Sequence, residues 1–407
     1  MARIDFAWEL GGNTGHFSTL LPVARAMHAR GHAVRFFLRE PGVGRDFEGA
    51  ADIPREGAPI WDAPPTYPDP LNYGEILLNF GYHDSGVLKQ LIAAWRERLW
   101  LSDALIANVA PSAHLAALTL GIPSFEISQG FHIPPAAFPA PPLRDWLPAP
   151  RARLEAADAR VLQSINGALA AYGVAPLQSI GELFSGRSML LTYPELDIYP
   201  GRGPAEYFGI PDSGEGSARP AWPAVGDNRA ENRGGKRVLL YLYHHYAGLD
   251  ALAEALHRLG LPTLAFCRGL PDEFLAKYNH GPVHFSAEPM AVSALLPQCD
   301  LVICHASHQM TAQALLAGKP LLLLPTQLEQ FLTMRRVVRH GSGLGIAADT
   351  PQADFGAALV ELLDNPGYSE KARDFAARYA AHDRNAALAT MIARCEAAIR
   401  PARLAAR

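Results

Sequence analysis

The stretch that decides the fold opens the chain: residues 4–8 read IDFAW, residues 11–16 read GGNTGH, and residues 17–38 read FSTLLPVARAMHARGHAVRFFL. The first run has strand length and the glycine-rich run predicts a turn. Apolar residues at helical spacing predict a helix from Phe17 to Ala29, and Ala33–Leu38 is predicted as the next strand. A strand, a crossover helix and a second strand predict a parallel α/β unit.

The same alternation continues along the chain. Further strands are predicted at Ala104–Asn108, Ser124–Ile127, Ser188–Tyr193, Arg237–Tyr243, Thr263–Cys267, Asp300–Cys304 and Pro320–Leu324. Helices are predicted at Ala113–Leu120, 151–172, Leu249–Leu259 and His308–Ala317, whereas the Pro-dense residues 131–150 are predicted to be irregular. The fold class is therefore α/β, with doubly wound sheets.

A length of 407 residues predicts more than one domain. Residues 211–236 are rich in Gly, Pro and charge and are predicted to link an N-terminal Rossmann-like domain (1–210) to a C-terminal one (237–385). Two such domains are expected to face each other across a ligand cleft. Residues 386–407 are predicted as a C-terminal helix or tail, and its periodicity leaves open whether it packs on the N-terminal domain.

Composition excludes several functions. Lys plus Arg number 36 against 40 Asp plus Glu, so no basic excess exists to bind nucleic acid. Four cysteines without a CxxC pair argue against disulfides and zinc. Asp5 and Glu9 interrupt any signal peptide, and no apolar run is long enough to span a membrane, so a cytoplasmic protein is predicted.

The turn before His16 is the first candidate for chemistry. It lacks the GxGxxG spacing of dinucleotide-binding proteins. His16 stands where a first strand meets a first helix, a position that faces the ligand cleft in α/β folds. Taken alone it is either a polar residue satisfied by a neighbouring carbonyl or a functional group, and its place after a glycine turn favours function.

Residues 11–34, from Gly-Gly-Asn-Thr-Gly-His through the helix to Gly-His-Ala-Val, resemble the opening of a known family. The family is the UDP-glucosyl/glucuronosyltransferase superfamily of GT-B glycosyltransferases, especially its bacterial macrolide-glycosyltransferase-like members. A second block agrees in order and spacing over residues 295–305, 314–320 and 324–330. The resemblance covers most of the chain and is weakest over residues 40–100 and 130–185.

The resemblance implies that His16 removes the proton from an acceptor hydroxyl as it attacks a nucleotide sugar, with inversion and without a metal or other cofactor. Its usual pKa near 6.5 suits a general base. Relatives orient this histidine with an Asp, where this chain has Asn108. An amide cannot stabilise an imidazolium as a carboxylate does; Asp84 and Asp103 are substitutes by residue type alone.

The donor region departs from the family's His-Gly-Gly-x-Gly-Thr turn, because this chain reads HASHQMT over residues 305–311. Side chains there would replace the missing glycines as phosphate donors. The implied donor-binding residues are His244, His245, Glu288, His305, Ser307, His308, Thr311, Glu329 and Gln330. Of these, Glu329–Gln330 are expected to bind sugar hydroxyls and Glu288 to lie near the nucleobase; the paired histidines either reach the diphosphate or lie on a solvated loop.

The acceptor-binding residues are predicted to be Thr14, Tyr82, Phe131 and Phe138, although core packing explains the aromatic ones equally well. The predicted function is thus a metal-independent, inverting transfer of a sugar to a small, apolar or natural-product acceptor. The alternatives are an inactive GT-B binding protein and another GT-B enzyme, such as an epimerase or a phosphorylase. The predicted partners are the nucleotide sugar and the acceptor, and a homodimer remains open.

Overall fold

The computed structural model describes residues 1–12, 14–45, 47, 49–211, 216–224, 235–347, 350 and 353–405. The chain divides into two compact units, Met1–Gly214 with Asp383–Arg407, and Glu215–His382. Each unit is built on a six-stranded parallel sheet flanked by helices. The predicted α/β class is confirmed.

The first unit begins with the strand–turn–helix that the sequence predicts. Its strands are β1 (Arg3–Trp8), β2 (Ala33–Leu38), β3 (Arg55–Gly57), β4 (Ala104–Ala107), β5 (Ser124–Ser128) and β6 (Ser188–Leu190). Its helices are α1 (Gly15–Ala29), α2 (Tyr73–Leu78), α3 (Ser85–Leu99), α4 (Pro111–Leu120) and α5 (Arg151–Leu169). The strand order is β3-β2-β1-β4-β5-β6.

The second unit repeats this topology. Its strands are β7 (Val238–Tyr243), β8 (Thr263–Arg268), β9 (Val283–Phe285), β10 (Leu301–Cys304), β11 (Leu321–Leu323) and β12 (Gly343–Gly345), in the order β12-β11-β10-β7-β8-β9. Its helices are α6 (Leu249–Arg258), α7 (Asp272–Tyr278), α8 (Val292–Leu295), α9 (His308–Leu316), α10 (Leu328–His340), α11 (Phe355–Asp364) and α12 (Pro366–Arg378).

The last helix, α13 (Arg384–Ala405), belongs to the first unit. Its Met391, Ile392 and Cys395 are buried in the core that α1 and β1 form. Glu396 Oε1 lies 3.0 Å from His32 Nε2, which fastens the helix beside the end of α1. The segment that the sequence left open therefore folds with the first unit.

Each sheet has one topological switch point, where strands that lead in opposite directions across the sheet lie side by side. In the first unit it lies between β1 and β4, and in the second between β7 and β10. Open parallel α/β sheets bind ligands outside the carboxyl ends of their strands at such points. The residues that follow β1, β4, β7 and β10 are therefore where a site is expected.

The predicted strands and helices are confirmed as elements, with ends that shift by a few residues. One shift matters for function: the strand predicted to reach Asn108 ends at Ala107, because the next peptide turns out of the sheet. Short elements such as β3, α2 and β9 were not predicted, because they contain too few residues to show a periodic apolar pattern. Of the predicted linker, residues 212–215 and 225–234 lie outside the described residues.

The four cysteines are free and buried. Within the described ranges, no helix combines the length and the apolar character that crossing a bilayer requires.

Gly343 of β12 packs closely against β11, because a Cβ atom at position 343 would lie 2.4 Å from the Leu321 carbonyl oxygen. We expect Gly343→Ala to lower the free energy of unfolding by about 1–3 kcal/mol, since no rotamer change relieves a clash with backbone. The matched control is Gly57→Ala in β3, where the nearest atom is Pro41 Cγ at 4.0 Å. Denaturant unfolding of both variants checks this, and equal losses would contradict it.

Candidate functional site

The switch point of the first unit holds His16, in the first turn of α1. Its Nδ1 lies 2.6 Å from Asn108 Oδ1, directly beyond β4, and its ring stacks on Trp8 of β1 at a centroid distance of 5.3 Å. Gly11 makes room for it: a Cβ atom there would lie 2.3 Å from Nε2, and a φ of +85° favours glycine. The sequence prediction that placed His16 at a strand-to-helix turn is confirmed.

The hydrogen bonds around Asn108 fix the tautomer of the imidazole. Asn108 Nδ2 lies 2.6 Å from the Ile127 carbonyl oxygen, which only accepts, so the amide nitrogen faces Ile127 and the amide oxygen faces His16. Because that oxygen only accepts, Nδ1 of His16 must carry the proton. Neutral His16 therefore has its lone pair on Nε2, and none of the described residues forms a hydrogen bond with that atom.

Burial keeps this imidazole neutral. Desolvation lowers the pKa of His16 below its ordinary value of 6.5, while the hydrogen bond to Asn108 raises it in part. His16 as a whole residue is nevertheless half-buried, not fully enclosed. A neutral imidazole with an available lone pair has the properties of a general base.

A second imidazole, His132, lies in the loop after β5. Its ring meets Phe131 edge-on at a centroid distance of 4.6 Å. Burial, with a smaller contribution from His16, lowers the pKa of His132 to about 3, so this ring stays neutral. The sequence analysis missed His132, since a lone histidine in a Pro-rich loop carries no spacing signal.

An ion pair fastens that loop. Arg202 Nε lies 2.5 Å from Asp197 Oδ2, both side chains are almost fully buried, and the guanidinium donates to the carbonyl oxygens of Gly130 and Ile133. Tyr199 OH donates to the Phe131 carbonyl oxygen at 3.1 Å. A buried pair whose remaining donors are satisfied makes a rigid anchor. These residues lie far from the loop in sequence, and no local pattern reveals them.

Glu9, at the end of β1, is a further polar group that sequence reasoning treated only as an interruption of an apolar run. Its side chain is buried, and Oε2 accepts from the backbone N–H and the hydroxyl of Ser112 at 3.0 and 2.8 Å. Burial raises the pKa of Glu9 to about 7, against the lowering effect of these bonds. The sequence did contain a signal for a functional or structural role of Glu9, namely an acidic residue at the end of an apolar strand.

The predicted acceptor-binding residues occupy different environments. Tyr82 is fully buried and offers no surface to a ligand, so in this structure it belongs to the packing behind the site. Phe131 is also buried, whereas Phe138 is 46% exposed and Thr14 is exposed at the start of α1. A role in acceptor binding stays a prediction for Thr14, Phe131 and Phe138.

Asp84 and Asp103, the two residues that match the family's orienting Asp in residue type, bind other groups. Asp84 caps α3 by accepting from the backbone N–H groups of Gly86 and Val87. Asp103 accepts from the backbone N–H of Arg3 at 2.7 Å, at the amino end of β1. That is the opposite end of the strand from His16, so Asn108 is the residue that orients the imidazole.

In the second unit, His305 follows β10 at the switch point, but both ring nitrogens are used by the fold. Tyr243 N–H donates to Nε2 at 2.7 Å, and Nδ1–H donates to the Leu324 carbonyl oxygen at 2.9 Å. In this arrangement neither ring nitrogen of His305 is left for a phosphate, so its predicted phosphate contact gains no support. The ring instead ties the ends of β7, β10 and β11 together.

Two further rings stack with the His305 ring. Tyr243, His245 and His305 lie nearly parallel, with the Tyr243 ring 5.2 Å from His305 and 5.5 Å from His245. Tyr243 is 44% exposed, and His244 and His245 are exposed as well. His244 Nδ1–H donates to the Arg268 carbonyl oxygen at 2.9 Å, which leaves its other nitrogen for a ligand.

The predicted donor-binding residues at the start of α9 differ in their exposure to solvent. Ser307 is exposed at the N-cap and its hydroxyl makes no capping bond. His308 and Thr311 are buried, and Thr311 faces the Cys304 thiol, whose pKa it lowers against the dominant effect of burial. A phosphate contact stays a prediction for Ser307, His308 and Thr311. Ala306 takes a φ of +61°, where the family turn has glycine.

The remaining predicted donor residues lie after β11 and β9. Gln330 is buried, and its Oε1 accepts from the backbone N–H and the hydroxyl of Thr326 at 2.9 and 3.1 Å. Glu329 is half-buried in the first turn of α10, and burial raises its pKa to about 7. Glu288 is exposed after the edge strand β9. Sugar and nucleobase contacts stay predictions for these residues.

A search for grouped His, Cys, Asp and Glu side chains that would hold a metal ion finds none among the described residues.

Comparison with known proteins supports the resemblance seen in the sequence. Residues 282–394 match the family model "Erythromycin biosynthesis protein CIII-like, C-terminal domain". The structure is similar to that of the kitacinnamycin glycotransferase, with a TM-score of 0.64 and 21% identity over 97% of this chain and 99% of that one. The chain has the GT-B fold.

Two further GT-B structures agree. SnogD from Streptomyces nogalater matches with a TM-score of 0.60 and 19% identity over 97% of this chain and 99% of its own. VinC, solved in complex with dTDP, matches with a TM-score of 0.63 and 16% identity over 98% and 100%. A sequence comparison with curated proteins finds no match. At these identities the structures establish the GT-B fold alone.

The amide at position 108 yields a test that needs no substrate. We expect Asn108→Asp to raise the pKa of His16 by about 1–3 units, because a carboxylate at this distance stabilises the imidazolium. An NMR titration of the His16 ring measures it. Asn166→Asp is the control, since the Asn166 side chain bonds to the Leu177 backbone in the same unit and not to His16. An unchanged pKa in Asn108→Asp would contradict the assigned contact.

Proposed function

We propose that this chain is a glycosyltransferase that transfers a sugar from a nucleoside diphosphate sugar to a hydroxyl of a small molecule, with inversion and without a metal ion. The single observation that carries the proposal is the tautomer of His16, whose Nε2 lone pair is left available at a switch point. The GT-B fold and the C-terminal family match support the same reaction class.

In the proposed reaction, the acceptor hydroxyl oxygen attacks the anomeric carbon of the donor sugar. The new carbon–oxygen bond forms as the bond to the phosphate oxygen breaks, and the nucleoside diphosphate leaves with that electron pair. The hydroxyl proton passes to Nε2 of His16. A single displacement inverts the anomeric configuration.

Asn108 then holds the imidazolium in place through Nδ1–H. Its neutral amide adds orientation but no charge, so the imidazolium is stabilised less than it would be beside a carboxylate. His16 must be neutral to act, and we therefore expect kcat/KM to fall as the pH falls through its lowered pKa.

The donor is assigned to the switch point of the second unit. The exposed Ser307 at the amino end of α9 and the exposed His245 in the turn after β7 are the donors proposed for the diphosphate. His244 adds a donor only as the imidazolium, because its neutral ring uses its one N–H on the Arg268 carbonyl. The helix amino terminus favours negative charge at this position. VinC was solved with dTDP, so a thymidine-linked sugar is the first donor to test.

A second function, a GT-B protein that binds a nucleotide sugar without transferring it, is favoured by two observations. Position 108 lacks the carboxylate of the family, and the segment from His305 to Thr311 lacks its glycines. An epimerase on the same fold would act on the donor alone, because it needs no acceptor hydroxyl. Product analysis with donor alone and with donor plus acceptor distinguishes the three.

The base is tested by His16→Ala. We expect turnover to fall by about 100-fold or more, because the group proposed to take the hydroxyl proton is lost, while the KM for the donor stays nearly unchanged. The matched control is His28→Ala, which removes an exposed histidine from the same helix. Turnover of His16→Ala close to that of the control would remove His16 from the mechanism.

Donor binding is tested separately with dTDP and UDP in a thermal-shift titration. At about 100 times its dissociation constant a ligand adds about 2.7 kcal/mol of apparent stability. We expect His245→Ala to weaken dTDP binding about tenfold through loss of a phosphate donor. His284→Ala, which removes an exposed histidine from the edge strand β9, is the control. Equal affinities of the two variants would exclude His245 from the donor site.

A further inference from the structure

Glu126 of β5 is a buried carboxylate that the proposed mechanism does not use. Its Oε1 accepts from the backbone N–H of Val109 at 2.7 Å, and its Oε2 accepts from Nε2–H of His114 at 3.0 Å. The two side chains are 1% and 0% exposed. A carboxylate accepts from two donors at once, whereas a glutamine at this position would offer only one acceptor.

The peptide that Glu126 anchors is an outlier. Val109 has a φ of +58°, in the left-handed region that a β-branched residue rarely adopts. Such a conformation is strained and persists only where the surroundings enforce it. A hydrogen bond to a carboxylate is stronger than one between neutral groups, so the bond to Glu126 helps to hold it.

The next peptide group, which joins Val109 to Ala110, is also held. The Val109 carbonyl oxygen accepts from the N–H groups of Glu9 and Leu10 at 3.2 and 2.9 Å, in the turn that leads to His16. Asn108 N–H donates to the Ala7 carbonyl oxygen at 2.9 Å. The turn after β4 is therefore tied to β1 by backbone bonds and to β5 by the Glu126 side chain.

This arrangement determines where the Asn108 amide points. β5 contributes twice, because Glu126 holds the N–H of Val109 and the adjacent Ile127 carbonyl accepts from Asn108 Nδ2. The N–H of Val109 belongs to the peptide group that joins it to Asn108, so the bond to Glu126 fixes the ψ angle of Asn108. Rotation of that peptide group would carry the Asn108 side chain away from this position. His16 would then lose the contact that fixes its tautomer.

We propose that Glu126 is a positioning residue for His16: by holding Val109 in the left-handed conformation it orients Asn108, and through Asn108 it keeps the lone pair of His16 on Nε2. Its effect on turnover rests on the proposed function, whereas its effect on the His16 tautomer does not. Glu126 thus orients His16 indirectly, through Asn108. The family orients this histidine directly, with a carboxylate at the position of Asn108.

The test compares Glu126→Met, Val109→Gly and the double variant. Methionine has a similar volume but accepts no bond from Val109, and glycine adopts a positive φ without strain. Nitrogen NMR of the His16 ring reports the tautomer, and kinetics with the donor and acceptor give kcat and KM separately. Asp5→Asn is the control, since Asp5 is an equally buried carboxylate at the opposite end of β1.

We expect Glu126→Met to convert His16 from a single Nδ1–H tautomer to a mixture and to lower kcat about tenfold or more, with an unchanged KM for the donor. Adding Val109→Gly should restore the single tautomer and bring kcat to within about threefold of Val109→Gly alone. If Glu126→Met does not fold, the double variant, whose backbone no longer depends on the carboxylate, is compared with Val109→Gly.

The proposal is overturned if Glu126→Met keeps the single tautomer, or if the double variant loses it despite the glycine. A loss of tautomer in Asp5→Asn would also overturn it, because general destabilisation would then explain the effect. Absence of glycosyl transfer by the unmodified protein would refute the proposed function and leave the NMR comparison valid. The two failures are thus distinguishable.

Discussion

The hydrogen bond from Nδ1–H of His16 to Asn108 Oδ1 is the interaction on which the candidate site depends. It joins residues 92 positions apart, and they meet because β1 and β4 are neighbours at the switch point of a parallel sheet. The Ile127 carbonyl oxygen accepts from Asn108 Nδ2 and so fixes which way the Asn108 amide faces. This orientation determines that His16 donates and Asn108 accepts. Sheet order therefore determines which nitrogen of the imidazole can act as a base.

An amide in place of a carboxylate changes the chemistry of such a base. Burial disfavours the imidazolium, and Asn108 compensates with a hydrogen bond but no charge, so the pKa of His16 falls below 6.5. At neutral pH a larger share of the ring is then in the basic form than for an ordinary histidine. The same shift makes the ring a weaker proton acceptor, because base strength falls with pKa. Accurate orientation is the remaining way to assist proton transfer, and it is the property that the bonds around Asn108 provide.

Much of the fold was predictable because its signals are local. Helical spacing after a glycine turn located α1, and the runs of apolar residues located the central strands of both sheets. His16 and Asn108 could be proposed from position and resemblance. Glu126, His132 and the Arg202–Asp197 pair could not, because their roles arise from contacts between distant segments. The turn at Val109 was also missed, since nothing in its sequence indicates a positive φ.

The two switch points show why a residue type in a motif does not define a role. His16 and His305 each follow a central strand of a doubly wound sheet, yet His16 commits one ring nitrogen to the protein and His305 commits both. A histidine whose nitrogens both bind backbone groups can only stabilise the fold, whereas one with a single fixed nitrogen keeps a lone pair in a known direction. The difference lies in the carbonyl and N–H groups that neighbouring strand ends present, so it is decided by tertiary structure and is invisible to any motif.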